Sequence, residues 1–245
     1  MRISRSRDSG RITATATATA ASRQREHDLE ENAMYTFQTP QPIAVTVDVL
    51  AADVTVIASE RSDSTVVVRP ADESRKADVR AAEQTTVEFA GGVLSVRTPK
   101  TWRTHTPFGG NAAITVTIEV PTGSELTSTT GVGRVVGAGE LGHCELTVSL
   151  GDIIVERPQG SVTAKTAKGD IHIGAAVRGD LRLETSVGAL EVGIHPGSAV
   201  RLETEVARGN VQNSLAPVGA DAADTVRVFA RNSLGNIVIR HAAAA

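Results

Sequence analysis

The chain has 245 residues, enough for one ample core or two small ones, with 28 Asp+Glu against 25 Lys+Arg and a net charge of -3. That balance removes a global electrostatic case for nucleic acid or an anionic membrane as partner. The single Cys removes disulfide frameworks and Cys-based zinc sites, and no stretch approaches the roughly 18 consecutive apolar residues of a spanning helix.

Residues 1–33 read as a disordered basic leader. Arg2, Arg5, Arg7, Arg11, Arg23 and Arg25 face Asp8 alone within the first 25 residues, and Thr13 to Ala20 alternates Thr and Ala with nothing large to bury. Ile12 followed by that alternation is too polar for the core of a secretory signal, and no adjacent Arg pair is present. The segment is expected to be translated from upstream of a true start at Met34, the other reading being an arm that touches phosphate. The lack of an export signal favours the cytoplasm over the cell surface.

From residue 43 onward the pattern is of short strands rich in β-branched residues, bounded by Gly, Pro, Asp and Ser. Ile43–Val49, Val54–Ile57, Thr65–Val68, Thr86–Phe89, Val93–Val96 and Ile114–Val120 are the clearest. Ala71–Gln84 is polar and Ala-rich, the one stretch with room for a helical turn or two. Thr98–Ala113 follows as about sixteen residues without strand pattern, and loops of that length are uncommon and often functional. It holds Lys100, Trp102, Arg103, His105 and Phe108, two of the chain's six aromatics. Trp beside Arg suits a contact surface, whereas aromatics folded back would cover an open end or edge of a sheet. These five residues are the candidate binding loop.

Beyond Gly131, Gly142, Gly151, Gly160, Gly169, Gly179, Gly188, Gly197 and Gly209 are separated by 9, 9, 9, 10, 9, 9 and 12 residues, a repeat. Alternate glycines fall into two classes, one reading Gly151-Asp152-Ile153, Gly169-Asp170-Ile171, Gly188-Ala189-Leu190, Gly209-Asn210-Val211 and Gly235-Asn236-Ile237. Each unit of 18–19 residues therefore contains two strands and two turns. One parity is apolar, namely Leu146/Val148/Leu150, Ile153/Val155, Ile171/Ile173, Leu181/Leu183, Leu190/Val192 and Val200/Leu202, and is assigned to the core. The other parity is polar. If equivalent strands stack rung on rung, Lys165 lies beside Glu184. The fold class is all-β, either a β-solenoid or an elongated two-sheet β-sandwich, and period alone does not separate parallel stacking from an antiparallel meander. Residues 34–240 are expected to form a single domain, with 241–245 a tail.

Met34-Tyr35-Thr36-Phe37-Gln38-Thr39-Pro40, Val54-Thr55-Val56, Val68-Arg69-Pro70-Ala71-Asp72, Ala81-Ala82-Glu83-Gln84-Thr85, Glu119-Val120-Pro121-Thr122-Gly123-Ser124 and the Gly-Asp-Ile repeats stand in an order that resembles the bacterial putative-adhesin family of β-strand-repeat proteins. The resemblance covers residues 34 to about 240. It implies an all-β repeat fold, and many actinobacterial members lack a signal peptide and begin where Met34 stands. It is a domain of unknown function and carries no catalytic residue onto this chain; the adhesin name rests on likeness of fold.

The remaining chemistry is sparse. His143 and Cys144 are adjacent and so point to opposite faces of a strand, with Cys144 on the inward parity as a small buried hydrophobe. His27, His105, His172, His195 and His241 have no metal-ligand spacing, and no metal or cofactor is expected. Gly131–Gly137 opens onto β-branched residues where a dinucleotide loop needs a helix. Asp152, Asp170 and Asp180 read as turn residues, and Arg178-Gly179-Asp180 as one more turn in register with the glycines. The expected function is non-catalytic binding of an unknown protein or polymer, with self-association through open ends as a variant. A polysaccharide-acting enzyme is the weaker alternative, because the outward row Ile154, His172, Glu191, Gln212, Val238 lacks facing carboxylates.

Overall fold

The structure is a computed structural model describing residues 33–99, 112–215 and 224–242. The expected leader lies outside the described residues except for Ala33, as does the end of the expected tail. In chain order the elements are β1 (Ala33–Gln38), β2 (Ala44–Ser59), β3 (Asp63–Pro70), α1 (Lys76–Glu83), β4 (Thr86–Ala90), β5 (Val93–Arg97), β6 (Ile114–Pro121), β7 (Glu125–Val132), β8 (Val135–Leu141) and β9 (Cys144–Leu150). They continue with β10 (Ile153–Pro158), β11 (Val162–Lys168), β12 (Ile171–Ala176), β13 (Gly179–Val187), β14 (Leu190–Ile194), β15 (Ser198–Arg208), β16 (Val211–Ser214), β17 (Asp224–Leu234) and β18 (Ile237–His241). The helix falls inside the Ala-rich stretch expected to hold a turn or two.

In the repeat region consecutive strands do not pair with each other; from β7 to β14 each pairs in parallel with the strand one repeat away. Val162 of β11 lies opposite Cys144 of β9 and Leu181 of β13, and Ile171 of β12 lies opposite Ile153 of β10 and Leu190 of β14. A parallel pair needs a crossover, and here the crossover is the strand of the opposite sheet. The fold is therefore a β-solenoid of two stacked sheets, which resolves the alternative left open by the period. One sheet, here sheet A, runs β1-β3-β6-β2-β8-β10-β12-β14-β18-β16. The facing sheet B runs β4-β5-β2-β7-β9-β11-β13-β17-β15. Lys165 Nζ stands 3.5 Å from Glu184, as rung stacking requires.

The glycine corner from sheet B to sheet A explains the period. Gly133, Gly151, Gly169, Gly188, Gly235 and Gly209 have φ between +130° and +152°. A Cβ on Gly151 would fall 1.9 Å from the carbonyl oxygen of Gly133, so both the backbone conformation and the rung spacing demand glycine there. The following residue holds the next rung: Asp152 Oδ1 accepts the Asp170 N–H at 3.0 Å, and Asp170 Oδ1 accepts the Ala189 N–H at 2.7 Å. From three residues before the glycine, Thr166, Thr185 and Asn232 donate to the carbonyls of Gly151, Gly169 and Gly188 at 3.1, 3.0 and 2.7 Å. These three side chains are buried yet satisfied, as a polar row inside an apolar core must be.

Between the sheets, inward side chains form files that run the length of the stack, for example Val45, Leu126, Cys144, Val162, Leu181 and Val228, each no more than 1% exposed. Three departures from the sequence reading have physical causes. The expected strands Ile43–Val49 and Val54–Ile57 are one sixteen-residue strand, β2, whose first half pairs in sheet B and second half in sheet A. It turns the corner at Ala51-Ala52 with small side chains in place of a glycine. Leu150 keeps the inward parity but is 45% exposed, because the strand is already leaving the sheet toward Gly151. Val200 and Leu202 are only half-buried, because β15 is the outermost strand of its sheet among the described residues.

That last position is a matter of topology. The chain goes from β13–β14 to β15–β16 and then returns, inserting β17–β18 between them. The outward row is accordingly Ile154, His172, Glu191, Val238, Gln212, the last two exchanged relative to chain order. At the other end the rungs give way to short antiparallel strands, and the rings of Phe37 on β1 and Phe89 on β4 meet with centroids 5.4 Å apart. Tyr35, Ala81 and Val87 also pack on the core there, so aromatic bulk sits at the end where the repeat stops.

Candidate functional site

The candidate binding loop, with Lys100, Trp102, Arg103, His105 and Phe108, lies outside the described residues. Its roots are described. Thr98 N–H donates to the Asp48 carbonyl at 3.1 Å, and Thr98 Oγ1 accepts the Leu50 N–H at 3.3 Å. On the return, the Ala113 N–H donates to Asp78 Oδ1 at 3.2 Å, while Asp78 Oδ2 meets Arg75 at 3.3 Å. Asp78 is fully buried, so α1 is tied to the point where the segment re-enters sheet A. Both roots stand at the sheet B to sheet A corner that the glycines form in the later rungs.

Along that same corner, Val132, Leu150, Val187 and Leu234 occupy equivalent positions and are 39%, 45%, 40% and 50% exposed. Lys168 interrupts the file and Arg208 ends it. Each residue sits where its strand leaves the sheet, so exposure here is a product of the corner geometry.

The solvent face of sheet B over β11, β13, β17 and β15 holds a depression of about 600 Å3. Three rows of outward side chains, set by the parallel register, cross this face of the sheet, and the second and third line the depression. The first is Asp180, Arg227, Arg201; the second is Thr163, Arg182, Phe229, Glu203; the third is Lys165, Glu184, Arg231, Glu205. The Arg182 guanidinium lies over the Phe229 ring at 5.7 Å, a cation–π contact on a half-buried aromatic. Arg227 Nε meets Asp180 at 2.7 Å and Arg231 Nε meets Glu205 at 3.5 Å. A second depression of about 490 Å3 continues past Asp180, Arg201 and Arg227.

The sequence reading makes Asp180 a turn residue, whereas its carboxylate binds Arg227 of the inserted rung. Arg178 likewise meets Asp224 at 3.7 Å, so both charges of the Arg178-Gly179-Asp180 turn are engaged within the chain. Phe229 and Arg182 escape a reading of the sequence because their contact joins two repeats that are far apart along the chain. Outward parity in an aromatic-poor chain is the one signal that points to Phe229.

Cys144 is fully buried between Leu126 and Val162, and burial together with the nearby Glu125 charge pushes its thiol up to about 12, far from a reactive thiolate. His143 is exposed on the opposite face. His172 Nδ1 stands 3.3 Å from Glu191, which also meets Arg240 at 3.8 Å. Among the described residues no group of three or more His, Cys, Asp or Glu is placed to hold a metal ion, and no helix is long and apolar enough to cross a membrane.

No family model and no curated protein matches the chain. Among solved structures it is similar to a putative cell adhesion protein from Clostridium sporogenes, at 10% identity and a TM-score of 0.46, over 86% of this chain and 98% of that one. It is also similar to a putative adhesin from Bacteroides fragilis, at 10% identity and a TM-score of 0.35, again over 86% and 98%. A putative lipid binding protein from Parabacteroides distasonis is 11% identical, with a TM-score of 0.31 over 84% and 96%.

Proposed function

We propose that this chain is a non-catalytic β-repeat interaction protein whose contact surface is the solvent face of sheet B over its last four rungs. The observation that carries the reading is Phe229 under Arg182 in a broad depression, framed by charges that a rigid parallel ladder holds in rows. Aromatic side chains, Phe included, and Arg are enriched at protein interfaces relative to the rest of the surface, and Arg is among the residues enriched in hot spots. Both signs of charge line the depression, which fits a polar protein or polymer surface better than a polyanion.

The test is capture of partners from cell extract by the immobilised chain, compared with Phe229→Ala and Arg182→Ala. Both side chains point outward, so circular dichroism is expected to be unchanged while retained partners fall away. Equal capture by both variants would remove this face from the account. Absence of turnover over a panel of polysaccharides is the companion expectation, and turnover would restore the enzyme alternative. For the compartment, the proposal is the cytoplasm, and release of its peptides by protease shaving of intact cells would move it to the surface.

A further inference from the structure

We propose that the outer edge of β15 is a docking site for a second copy of this chain, joined head to head by antiparallel strand addition across a two-fold axis near Leu202. Among the described residues β15 pairs only through its inner edge, with β17. It is eleven residues long, contains no Pro or Gly and runs in register with β17 as a long regular strand, so what guards this edge is charge alone, from Arg201, Glu203, Glu205 and Arg208. Its inward side chains Val200, Leu202 and Val206 are half-buried, whereas Val226 and Val228, opposite Val200 and Leu202 on β17, are 0% and 1% exposed. A further strand would cover them.

The charge pattern says which strand. On this face Lys165, Glu184, Arg231, Glu205, Arg227 and Asp180 are ion-paired within the chain. Arg201 and Glu203, both exposed on β15, have no ion pair among the described residues. In an antiparallel pair centred on Leu202, Arg201 of each copy lies directly opposite Glu203 of the other, giving two opposite-charge pairs. On the inner side Leu202 meets Leu202 across the axis and each Val200 meets the exposed Thr204 of the other copy, so the half-buried Leu202 and Val200 gain cover. The interface is self-complementary, as a two-fold contact requires. Head-to-tail stacking fits poorly, because the opposite end offers sheet B only the five-residue β4, itself antiparallel to its neighbour. The product is a closed dimer and not a filament.

The test is sedimentation velocity of the full chain from micromolar to hundreds of micromolar. Wild type is expected to pass from monomer to dimer. Arg201→Glu and Glu203→Arg each place like charges opposite one another and should weaken dimerisation by roughly tenfold or more. The double exchange Arg201→Glu with Glu203→Arg should restore it. All these side chains are exposed, so folding is held constant, and circular dichroism checks it. A monomer at every concentration, higher polymers, or a dimer indifferent to both single variants would overturn the proposal. Phe229→Ala separates the two readings, since it is expected to abolish partner capture and leave the dimer intact.

Discussion

Gly151 shows how one residue type serves two constraints at once. Its φ of +139° disfavours any side chain, and its missing Cβ leaves the space that the Gly133 carbonyl fills. Gly91 shares the positive φ, at +59°, but a methyl added there would meet nothing within 4 Å. Gly91→Ala is therefore expected to cost only the backbone term, about 1 to 2 kcal/mol. Gly151→Ala adds a steric clash with rigid backbone and should cost about 3 kcal/mol or more. Urea unfolding of the two variants separates the contributions, and equal losses would mean that the rungs yield to admit the methyl. Arg61 supplies a second test at this scale. Its guanidinium meets Asp63 at 3.0 Å and also Glu119, which accepts from Thr65, and these partners hold both carboxyls below their ordinary values. Carboxyls with depressed folded values stabilise the fold above their unfolded pKa, about 4, and lose that contribution as pH falls through the folded value. Arg61→Gln should thus lower the thermal midpoint by no more than about 4 °C at neutral pH, the cluster being partly exposed. The gap from wild type should close below about pH 4, and a gap constant with pH would assign the effect to packing.

For the strands, burial depends on rung position more than on sequence. Leu183 and Leu202 sit in the same alternating apolar and polar pattern, yet Leu183 is 1% exposed and Leu202 is half-buried. Leu183→Ala is expected to cost about 2 to 5 kcal/mol and Leu202→Ala, in dilute monomer, roughly 1 kcal/mol. Comparable losses in chemical unfolding would show that β15 is covered. The same pair marks what the sequence can and cannot disclose. Strand positions, inward parity and the 18–19-residue unit are legible, because each rung needs a positive-φ glycine, commonly an Asx side chain after it, and apolar alternation before it. Rung order is not legible, since a local pattern fits equally well beside any other rung. That is why Val238 and Gln212 exchange places in the stack, and why no local pattern links Phe229 to Arg182. The corner of β2 escapes because Ala51-Ala52 makes the turn without the glycine signal. Composition alone picks out the candidate loop at Trp102, and the described residues extend only to its roots.

Across the whole molecule, insertion of β17–β18 beneath β15–β16 separates position along the chain from position in the stack. Stability in such arrays is approximately a sum of rung and nearest-neighbour terms, so the outermost rung opens first. Chain order alone would make β17–β18 the most labile pair, being nearest the C-terminus. Stack order reverses this: β17 is paired on both sides, by β13 and β15, and β18 by β14 and β16. Hydrogen exchange on the dilute full chain is therefore expected to find the amides of Ser198–Ser214 exchanging ahead of those of Thr225–Ile239. Raising the concentration should then slow exchange in β15 far more than in β17, because dimerisation covers only the outer strand. Faster exchange in β17–β18 would contradict the inserted order itself. Concentration-independent exchange in β15, with the order otherwise as expected, would leave the insertion standing and remove the dimer.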